Sequence, residues 1–310
     1  MNNPKVISVN ISENKGTGKR PVEKITVTEA GVMGDAHAGD WHRQVSLLAM
    51  ESIEKFSKEA KRKIAFGEFA ENITTKGIEL PRCHIFDRFR IGETELELTQ
   101  IGKECHGTAC AIFKEVGNCV MPREGIFCRV LKTGGIKPND RIVYVPKIFR
   151  VFIITLSDRA SAGMYEDRSG PNIREILNAF FSAGNQRFEI HNVLIPDDED
   201  ALRKLLMQEK HSGADFIFTT GGTGIGERDI TVETVSSMLD KQLPGIMELI
   251  RVKYGMEKPN VLLSRGVAGT IGKTMVYTLP GSVNAVTEYM CEITKTMEHA
   301  LFMLHGIDKH

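Results

Sequence analysis

The stretch Asp215-Phe-Ile-Phe-Thr-Thr-Gly-Gly-Thr-Gly-Ile-Gly-Glu-Arg-Asp-Ile-Thr-Val-Glu233 passes from an apolar run through a group of glycines into a polar segment. The β-rich run Phe216–Thr219 is typical of a buried parallel strand that is covered on both faces. Glycines directly after such a strand let the backbone adopt positive φ and approach a ligand closely, so that consecutive N–H groups can converge on an anion. The pattern therefore predicts a strand, a phosphate-binding loop and a helix.

The glycine spacing matches neither common phosphate motif. The chain lacks Gly-x-x-x-x-Gly-Lys-Ser/Thr, and Gly222-x-Gly224-x-Gly226 differs from the dinucleotide fingerprint. A tight turn that needs glycine only for its dihedral angles is the alternative. The neighbouring polar residues favour a ligand, because Asp229 and Glu233 flank Thr231, which could cap a helix running to Asp240. Carboxylates beside a phosphate loop suit hydrated Mg²⁺.

Strands and helices alternate on both sides of this stretch, which predicts a helix-covered α/β domain with a mostly parallel sheet. Apolar strands are expected at 149–155, 188–195 and 275–279, with helices at 199–211, 245–254 and 283–304. The segment Leu156-Ser-Asp-Arg-Ala-Ser-Ala-Gly163 follows the first of these strands, at the end where parallel sheets bind ligands. Asp167-Arg-Ser-Gly-Pro171 opens a further helix, with Ser169 as its expected cap, and the N–H groups of Ser169 and Gly170 are available to phosphate.

Length and charge restrict the class of protein. A chain of 310 residues is long enough for two domains, each with its own core. The 40 basic and 40 acidic side chains balance, so neither a nucleic-acid surface nor an anionic membrane is expected as a partner. The first residues lack an apolar signal core and no apolar run approaches a membrane span, so we expect a cytoplasmic protein.

The first half of the chain predicts a β-rich, barrel-like domain of many short strands. One loop, Gly31–Arg43, concentrates glycines, acidic residues, histidines and an arginine. Asp35, His37 and His42 could be metal ligands, although nothing near them completes a zinc set. An anion-binding or pterin-facing loop with Arg43 as its charged contact is the alternative.

Five of the six cysteines lie in this half, and Cys105 has the most reactive surroundings. It follows Lys103 and adjoins His106, and cationic neighbours favour the nucleophilic thiolate. Two alternatives remain open. One is a buried structural cysteine. The other is a metal site formed by Cys105, His106, Cys110 and Cys119, which the absence of a Cys-x-x-Cys pair disfavours.

Several motifs of the first half resemble the MOSC domain, named for the carboxyl-terminal domain of molybdenum cofactor sulfurases. The resemblance spans residues 1–146. It implies a β-rich domain that handles sulfur or the pterin cofactor, with Cys105 in the position of the family's cysteine and a molybdenum or tungsten cofactor as a candidate ligand. The motifs are Gly34-Asp-Ala-His37, His42-Arg-Gln-Val-Ser-Leu-Leu48, Gly67-Glu-Phe-Ala-Glu-Asn-Ile-Thr-Thr75, Gly102-Lys-Glu-Cys-His106 and Gly134-Gly-Ile-Lys-Pro-Asn-Asp140.

Residues 148–310 resemble the molybdopterin adenylyltransferases. Two departures, Val232 and Val283 where the family often has proline, remove no polar contact. The motifs are Thr155-Leu-Ser-Asp158, Asp167-x-Ser-Gly-Pro171, Pro196-Asp197, Gly221-Gly-Thr-Gly224, Arg228-Asp229, Thr231-x-Glu233, Pro244-Gly245, Leu263-Ser-Arg265 and Leu279-Pro-Gly-Ser282.

This resemblance implies a nucleotidyltransferase that moves AMP from ATP to the terminal phosphate of molybdopterin, with Mg²⁺. It assigns the metal to Asp197 and Asp229 and contact with the pterin phosphate to Ser264 and Arg265. It also implies a homotrimer and a separate protein that inserts molybdate. The alternative is a non-catalytic carrier of the pterin cofactor, and a metallochaperone is a third hypothesis. The remaining predicted contacts are Gly221, Gly222, Thr223 and Gly224 as a phosphate cradle, Gly281 and Ser282 lining the pocket, and Ser157 and Asp158 at its rim.

Overall fold

A computed structural model describes residues 3–103 and 120–307 of the chain. It consists of two compact units, Met1–Lys147 and Ile148–His310. The two-domain layout expected from the sequence is confirmed. Cys105, His106, Cys110 and Cys119 lie outside the described residues, so the interpretations of that cysteine cluster stay predictions.

The first unit is mostly strand. Among its described residues the α-helices are α1 (Met50–Glu59) and the single turn α2 (Met121–Glu124). The strands, in chain order, are β1 (Lys5–Ile11), β2 (Arg20–Val22), β3 (Ile25–Thr28), β4 (Gly31–Val32), β5 (Val45–Ala49), β6 (Ile73–Lys76), β7 (Arg88–Ile91), β8 (Thr94–Ile101), β9 (Ile126–Lys132), β10 (Gly134–Ile136) and β11 (Ile142–Val145).

These strands form an eight-stranded sheet in the order β11-β7-β8-β9-β5-β6-β1-β2 and a three-stranded sheet in the order β10-β3-β4. An isolated bridge between Lys5 and Arg141 connects the start of β1 to the residue before β11. Among the described residues no continuous ladder joins the two ends of the larger sheet, so the expected barrel is not confirmed. Alternate residues of the strands, such as Val6, Leu47, Leu96 and Leu98, are fully buried in one apolar core.

A buried ion pair lies beside this core. The ammonium of Lys19 is 2.5 Å from Asp35 Oδ2, and neither side chain is more than 1% exposed. The Asp35 carboxylate also accepts hydrogen bonds from the backbone N–H groups of Ser12 and His37. These donors hold its pKa below the usual value although burial acts in the opposite direction. The hypothesis that Asp35 is a metal ligand is therefore not supported, because protein donors already occupy both of its oxygens.

We expect Asp35→Asn to destabilise the first unit by about 3 kcal/mol, because a buried lysine would lose its counter-charge. Denaturant unfolding of the full chain, followed by probes in each unit, measures this change. Glu29→Gln is the control, since Glu29 is an exposed carboxylate of the same unit. Equal stability of the two variants would contradict the assigned role of the pair.

The second unit alternates strands and helices. Its helices are α3 (Asp158–Ser161), α4 (Ser169–Ala183), α5 (Glu199–His211), α6 (Thr231–Ser236), α7 (Pro244–Gly255) and α8 (Val283–Leu304). The strands are β12 (Ile148–Leu156), β13 (Arg187–Ile195), β14 (Phe216–Thr220), β15 (Lys241–Gln242), β16 (Ala268–Ile271) and β17 (Thr274–Leu279). The helix expected to reach Asp240 ends at Ser236, and the chain continues into the edge strand β15.

The six strands form one mixed sheet in the order β13-β12-β14-β17-β16-β15. The first four are parallel, as expected. The strands β16 and β15 were not predicted: β16 pairs antiparallel with β17, and β15 pairs antiparallel with β16 and so runs in the direction of the first four. Thr155 pairs with Thr220, and Thr220 pairs with Leu279, so three parallel strands end at the same level. This register places the three following loops at one edge of the sheet.

Helices cover both faces of the sheet. Phe152 and Ile154 of β12 pack on one side with Leu202 and Leu206 of α5. On the other side Phe181 of α4 stacks on Phe149 and lies against Phe216, and α4 packs against α8. Both faces are thus apolar, which explains why the strands read as continuous apolar runs. Among the described residues no helix is long and apolar enough to cross a membrane.

Candidate active site

The glycine loop after β14 is held against the ends of β12 and β17. The N–H of Gly221 donates to the carbonyl of Leu279 at 3.0 Å. Gly221 has φ +99°, and a Cβ there would lie 2.2 Å from the carbonyl oxygen of Leu156. Gly222 also has positive φ, and its Cβ would lie 2.4 Å from Thr231 Oγ1. Both positions require glycine, for the left-handed backbone and for close packing.

Thr231 fixes the loop rather than capping the helix. Its hydroxyl donates to the carbonyl of Gly221 at 2.9 Å, and its N–H donates to the carbonyl of Gly222. Thr231 is fully buried as the first residue of α6. The predicted capping role is therefore wrong, because the side chain is turned back to the preceding loop.

Arg265 holds the loop from the other side. Its side-chain Nε donates to the carbonyl of Gly224 at 2.7 Å, and its backbone N–H donates to the carbonyl of Thr223. The guanidinium also pairs with Glu233, whose pKa this contact lowers. Sequence reasoning assigned both charges to ligand binding, whereas here they connect the loop to α6.

Asp229 lies at the end of the same loop. Its Oδ2 accepts the N–H of Gly226 at 2.7 Å, and a Cβ on Gly224 would lie 2.7 Å from this oxygen. Oδ1 accepts no hydrogen bond from any residue that the structure describes. One carboxylate oxygen thus shapes the loop and the other is available to a ligand.

Asp158 and Asp197 connect the loops after β12 and β13. The N–H of Asp158 donates to Asp197 Oδ2, and the N–H of Asp197 donates to Asp158 Oδ1. Arg228 of the glycine loop donates two hydrogen bonds to the Asp158 carboxylate, both at 2.9 Å, and a third to the carbonyl of Asp197. The Asp197 N–H, followed by the Arg228 guanidinium, lowers the pKa of Asp158. The cap of α5 is the neighbouring Asp198, whose Oδ1 accepts the N–H of Ala201.

The amino terminus of α4 is already satisfied by a carboxylate. Asp167 Oδ1 accepts the N–H groups of Ser169 and Gly170 and the hydroxyl of Ser169. Its Oδ2 accepts the hydroxyl of Thr155. Ser169 is therefore not the cap, and the two N–H groups expected to bind phosphate are used within the protein. Ser157 instead caps α3 and its hydroxyl contacts that of Tyr165 at 2.8 Å.

A cavity of about 460 Å³ lies beside the loop after β17. Predicted residues Ser264 and Ser282 line it, whereas its other walls were not foreseen. No sequence motif marks these lining residues, because they come from a short 3-10 turn and from one face of α8. The unforeseen lining residues include Lys258, Asn260, Asn284, Glu288 and Tyr289.

The carboxylates suit Mg²⁺ that arrives with a nucleotide. Among residues 3–103 and 120–307 no group of three His, Cys, Asp or Glu side chains could hold a metal by itself. Mg²⁺ in nucleotide sites keeps several waters and needs only one or two carboxylates besides the phosphates. Oδ1 of Asp229 and Oδ1 of Asp197 accept no hydrogen bond from described residues, so neither oxygen is occupied by another protein group there.

A second cavity, of about 320 Å³, lies within the first unit. Its lining includes the basic side chains Lys15, His37, Arg43 and Lys103. The guanidinium of Arg43 lies 4.7 Å from the ring centroid of Trp41, which gives one wall a flat aromatic surface. This composition suits a planar, anionic ligand.

Comparison with known proteins agrees with both halves of this description. Residues 152–299 match the family described as "Probable molybdopterin binding domain", and residues 34–143 match the MOSC domain. Molybdopterin adenylyltransferase from Pyrococcus furiosus is 38% identical over 161 residues, which are 50% of this chain and 91% of the relative. The chain belongs to the molybdopterin adenylyltransferase family.

Other relatives support the same family and the two-domain layout. The adenylyltransferase from Helicobacter pylori is 33% identical over 50% of this chain and 86% of its own length. A molybdenum cofactor biosynthesis bifunctional protein from Chlorobaculum tepidum is 28% identical over 84% of this chain and 86% of its own length. The second unit is thus a member of a nucleotidyltransferase family, joined to a MOSC domain.

Proposed function

We propose that the second unit transfers AMP from ATP to the terminal phosphate of molybdopterin. An oxygen of the molybdopterin phosphate attacks the α-phosphorus of ATP, the bond from this phosphorus to the bridging oxygen breaks, and pyrophosphate leaves. The products are adenylylated molybdopterin and pyrophosphate. The observation that carries this proposal is that the loops after β12, β13, β14 and β17 lie at one edge of the sheet. These loops hold the aspartates, the glycine loop and two residues of the cavity wall, Pro280 and Ser282.

Positioning and charge neutralisation are the main tasks, because two polyanions must be brought together in line. The N–H groups of Gly222, Thr223 and Gly224 donate to phosphate oxygens, whereas the N–H of Gly221 is used by Leu279 to anchor the loop. Asp229 and Asp197 would hold Mg²⁺, which neutralises charge on the phosphates when bound. Ser264 and Ser282 bind the pterin substrate from the cavity, while Arg265 keeps the glycine loop in place.

Incubation of the protein with molybdopterin, ATP and Mg²⁺ tests the proposal. We expect release of pyrophosphate at the rate at which adenylylated molybdopterin forms. Binding of molybdopterin without pyrophosphate release would instead indicate the non-catalytic carrier. The same assay with the tungsten-bound cofactor as a competitor shows which form of the pterin the site prefers.

We further propose that the first unit binds the cofactor or handles its sulfur, and that a separate protein inserts molybdate. The basic cavity supports this role, because Lys15, Arg43 and Lys103 would neutralise a phosphorylated or metal-bound pterin. Trp41 and Phe127 supply apolar surface for the planar ring. Bound zinc or copper in the purified protein would favour the metallochaperone instead.

Cys105 is expected to react faster with iodoacetamide at neutral pH than the other cysteines of the first unit. Lys103 and His106 adjoin it in the sequence, and positive charge lowers the pKa of a thiol. Cys83 is the internal reference, because burial raises its pKa to about 12. Labelling rates against pH, resolved by peptide mapping in the wild type and in Cys105→Ala, measure the difference. If Cys105 labels no faster than Cys83, sulfur transfer is excluded and cofactor binding remains.

The second unit is expected to form a trimer. Apolar side chains of α7 and the following turn are more than half exposed, among them Val252, Met256 and Leu263. Sedimentation at micromolar concentration should give three times the 34.5 kDa of one chain. Val252→Glu should lower this mass, whereas Met207→Glu, at an exposed apolar position on α5, should not. A monomer mass for the wild type contradicts the prediction.

A further inference from the structure

Two buried hydroxyl groups of the second unit belong to one wall of the 460 Å³ cavity. Tyr289 of α8 is 1% exposed, and Ser264 follows the turn Pro259–Leu263. Both residues line the cavity. Neither Tyr289 Oη nor Ser264 Oγ has a hydrogen-bond partner of normal geometry among the described residues. A buried hydroxyl without a partner costs about 1–3 kcal/mol, and a ligand that enters the cavity and pairs with it recovers part of this cost.

The backbone of Ser264 is fixed although its hydroxyl is not. Its N–H donates to the carbonyl of Val261 at 3.1 Å, and its carbonyl accepts a hydrogen bond from Arg251 at 3.5 Å. The next residue, Arg265, is bonded to the glycine loop. The side-chain torsion of Ser264 is therefore free to turn the hydroxyl, while the residue itself lines the cavity and precedes the arginine that holds the glycine loop.

Tyr289 and Ser264 line the same cavity, and their side chains interact. Burial raises the pKa of Tyr289, and the Ser264 side chain acts in the opposite direction. Both hydroxyl oxygens have less than 1 Å² of exposed surface, but Tyr289 is fully buried whereas Ser264 as a residue is half-buried. A ligand in the cavity therefore reaches Ser264 more easily than Tyr289 once the serine side chain rotates. A hydroxyl can donate one hydrogen bond and accept others at the same time.

We propose that Tyr289 is a positioning residue for Ser264 in the adenylyl transfer. Its hydroxyl donates to Ser264 Oγ, and Ser264 in turn donates to the terminal phosphate of molybdopterin. Binding of the substrate thereby satisfies both hydroxyls, and cooperative polarisation strengthens the contact with the phosphate. This inference rests on the proposed function, because it takes the phosphate of that substrate as the acceptor.

The test compares Tyr289→Phe with Tyr277→Phe. Tyr277 is a matched control, because it is also fully buried and its hydroxyl also has no partner among the residues that the structure describes. It stacks on Phe218 and does not line the cavity. We expect Tyr289→Phe to raise KM for molybdopterin about fivefold, the effect of one neutral hydrogen bond. We expect KM for ATP to change less than twofold. Tyr277→Phe should change neither constant.

A double-mutant cycle separates positioning from packing. In a Ser264→Ala background, Tyr289→Phe should cause no further increase in KM for molybdopterin, since its target hydroxyl is absent. Thermal stabilisation by molybdopterin is a second measurement that needs no turnover, and it should fall in Tyr289→Phe. Independent effects in the cycle, or an equal effect of Tyr277→Phe, would overturn the proposal.

The outcomes for the wild type separate the two proposals. If the wild type shows neither pyrophosphate release nor stabilisation by molybdopterin, the proposed function fails and the role of Tyr289 fails with it. If the wild type shows either one and Tyr289→Phe leaves it unchanged, only the role of Tyr289 is overturned.

Discussion

Asp229→Asn is expected to lower the rate of AMP transfer by about 100-fold to 1,000-fold, while the fold is kept. The amide oxygen of asparagine can still accept the N–H of Gly226, so the loop retains its shape. The neutral side chain no longer offsets the charge of Mg²⁺ beside the phosphates. Pyrophosphate release at saturating ATP and molybdopterin measures the loss, and far-UV circular dichroism with thermal unfolding verifies the fold.

Glu227→Gln is the matched control for this variant. Glu227 is an exposed carboxylate of the same loop, two residues away, and removal of its charge should change the rate less than twofold. Wild-type turnover in Asp229→Asn would remove the basis for the adenylyltransferase mechanism. Similar losses in both variants would indicate a general field effect of the loop rather than a metal ligand.

Gly221→Ala is expected to destabilise the second unit by about 4 kcal/mol and to abolish AMP transfer. The new Cβ would lie 2.2 Å from the carbonyl oxygen of Leu156, and the residue would have to keep φ +99°. The steric clash and the backbone strain both force the loop away from the ends of β12 and β17. Denaturant unfolding measures the stability, and pyrophosphate release measures the activity.

Gly245→Ala is the control for the glycine substitution. Gly245 lies in the first turn of α7, and a Cβ there meets no atom within 4 Å. Alanine has the higher helix propensity, so stability should stay equal or rise slightly. Should Gly221→Ala be as stable as Gly245→Ala, the close approach between the loop and Leu156 has been misjudged.

The sequence predicted the strands and the position of the ligand loop in the second unit well. Phe216–Thr219 gives a clear apolar run, and the four glycines after it mark the loop without ambiguity. The antiparallel strand β16 was missed, because Ala268-Gly-Thr-Ile271 is short and has two small residues at its start. Its pairing with β17 on one side and β15 on the other makes it a strand.

The exact partners of polar side chains could not be predicted. Asp167 and Ser169 both have side chains that cap helices, and the sequence does not show that Asp167 also reaches Thr155 on β12. Likewise, Arg265 and Glu233 lie 32 residues apart in the chain, and only the folded loop brings them together. The sequence therefore placed these residues in one region of the fold, whereas their individual partners depended on tertiary contacts.

The bond from Gly221 to Leu279 has a consequence for the order of events during synthesis on the ribosome. β17 emerges more than fifty residues after β14, so until then the strand Phe-Ile-Phe-Thr-Thr is an open edge and the glycine loop lacks its anchor. An apolar edge of this kind is prone to aggregate. Slow elongation between these two strands should therefore lower the yield of soluble protein more than a pause placed after Leu279.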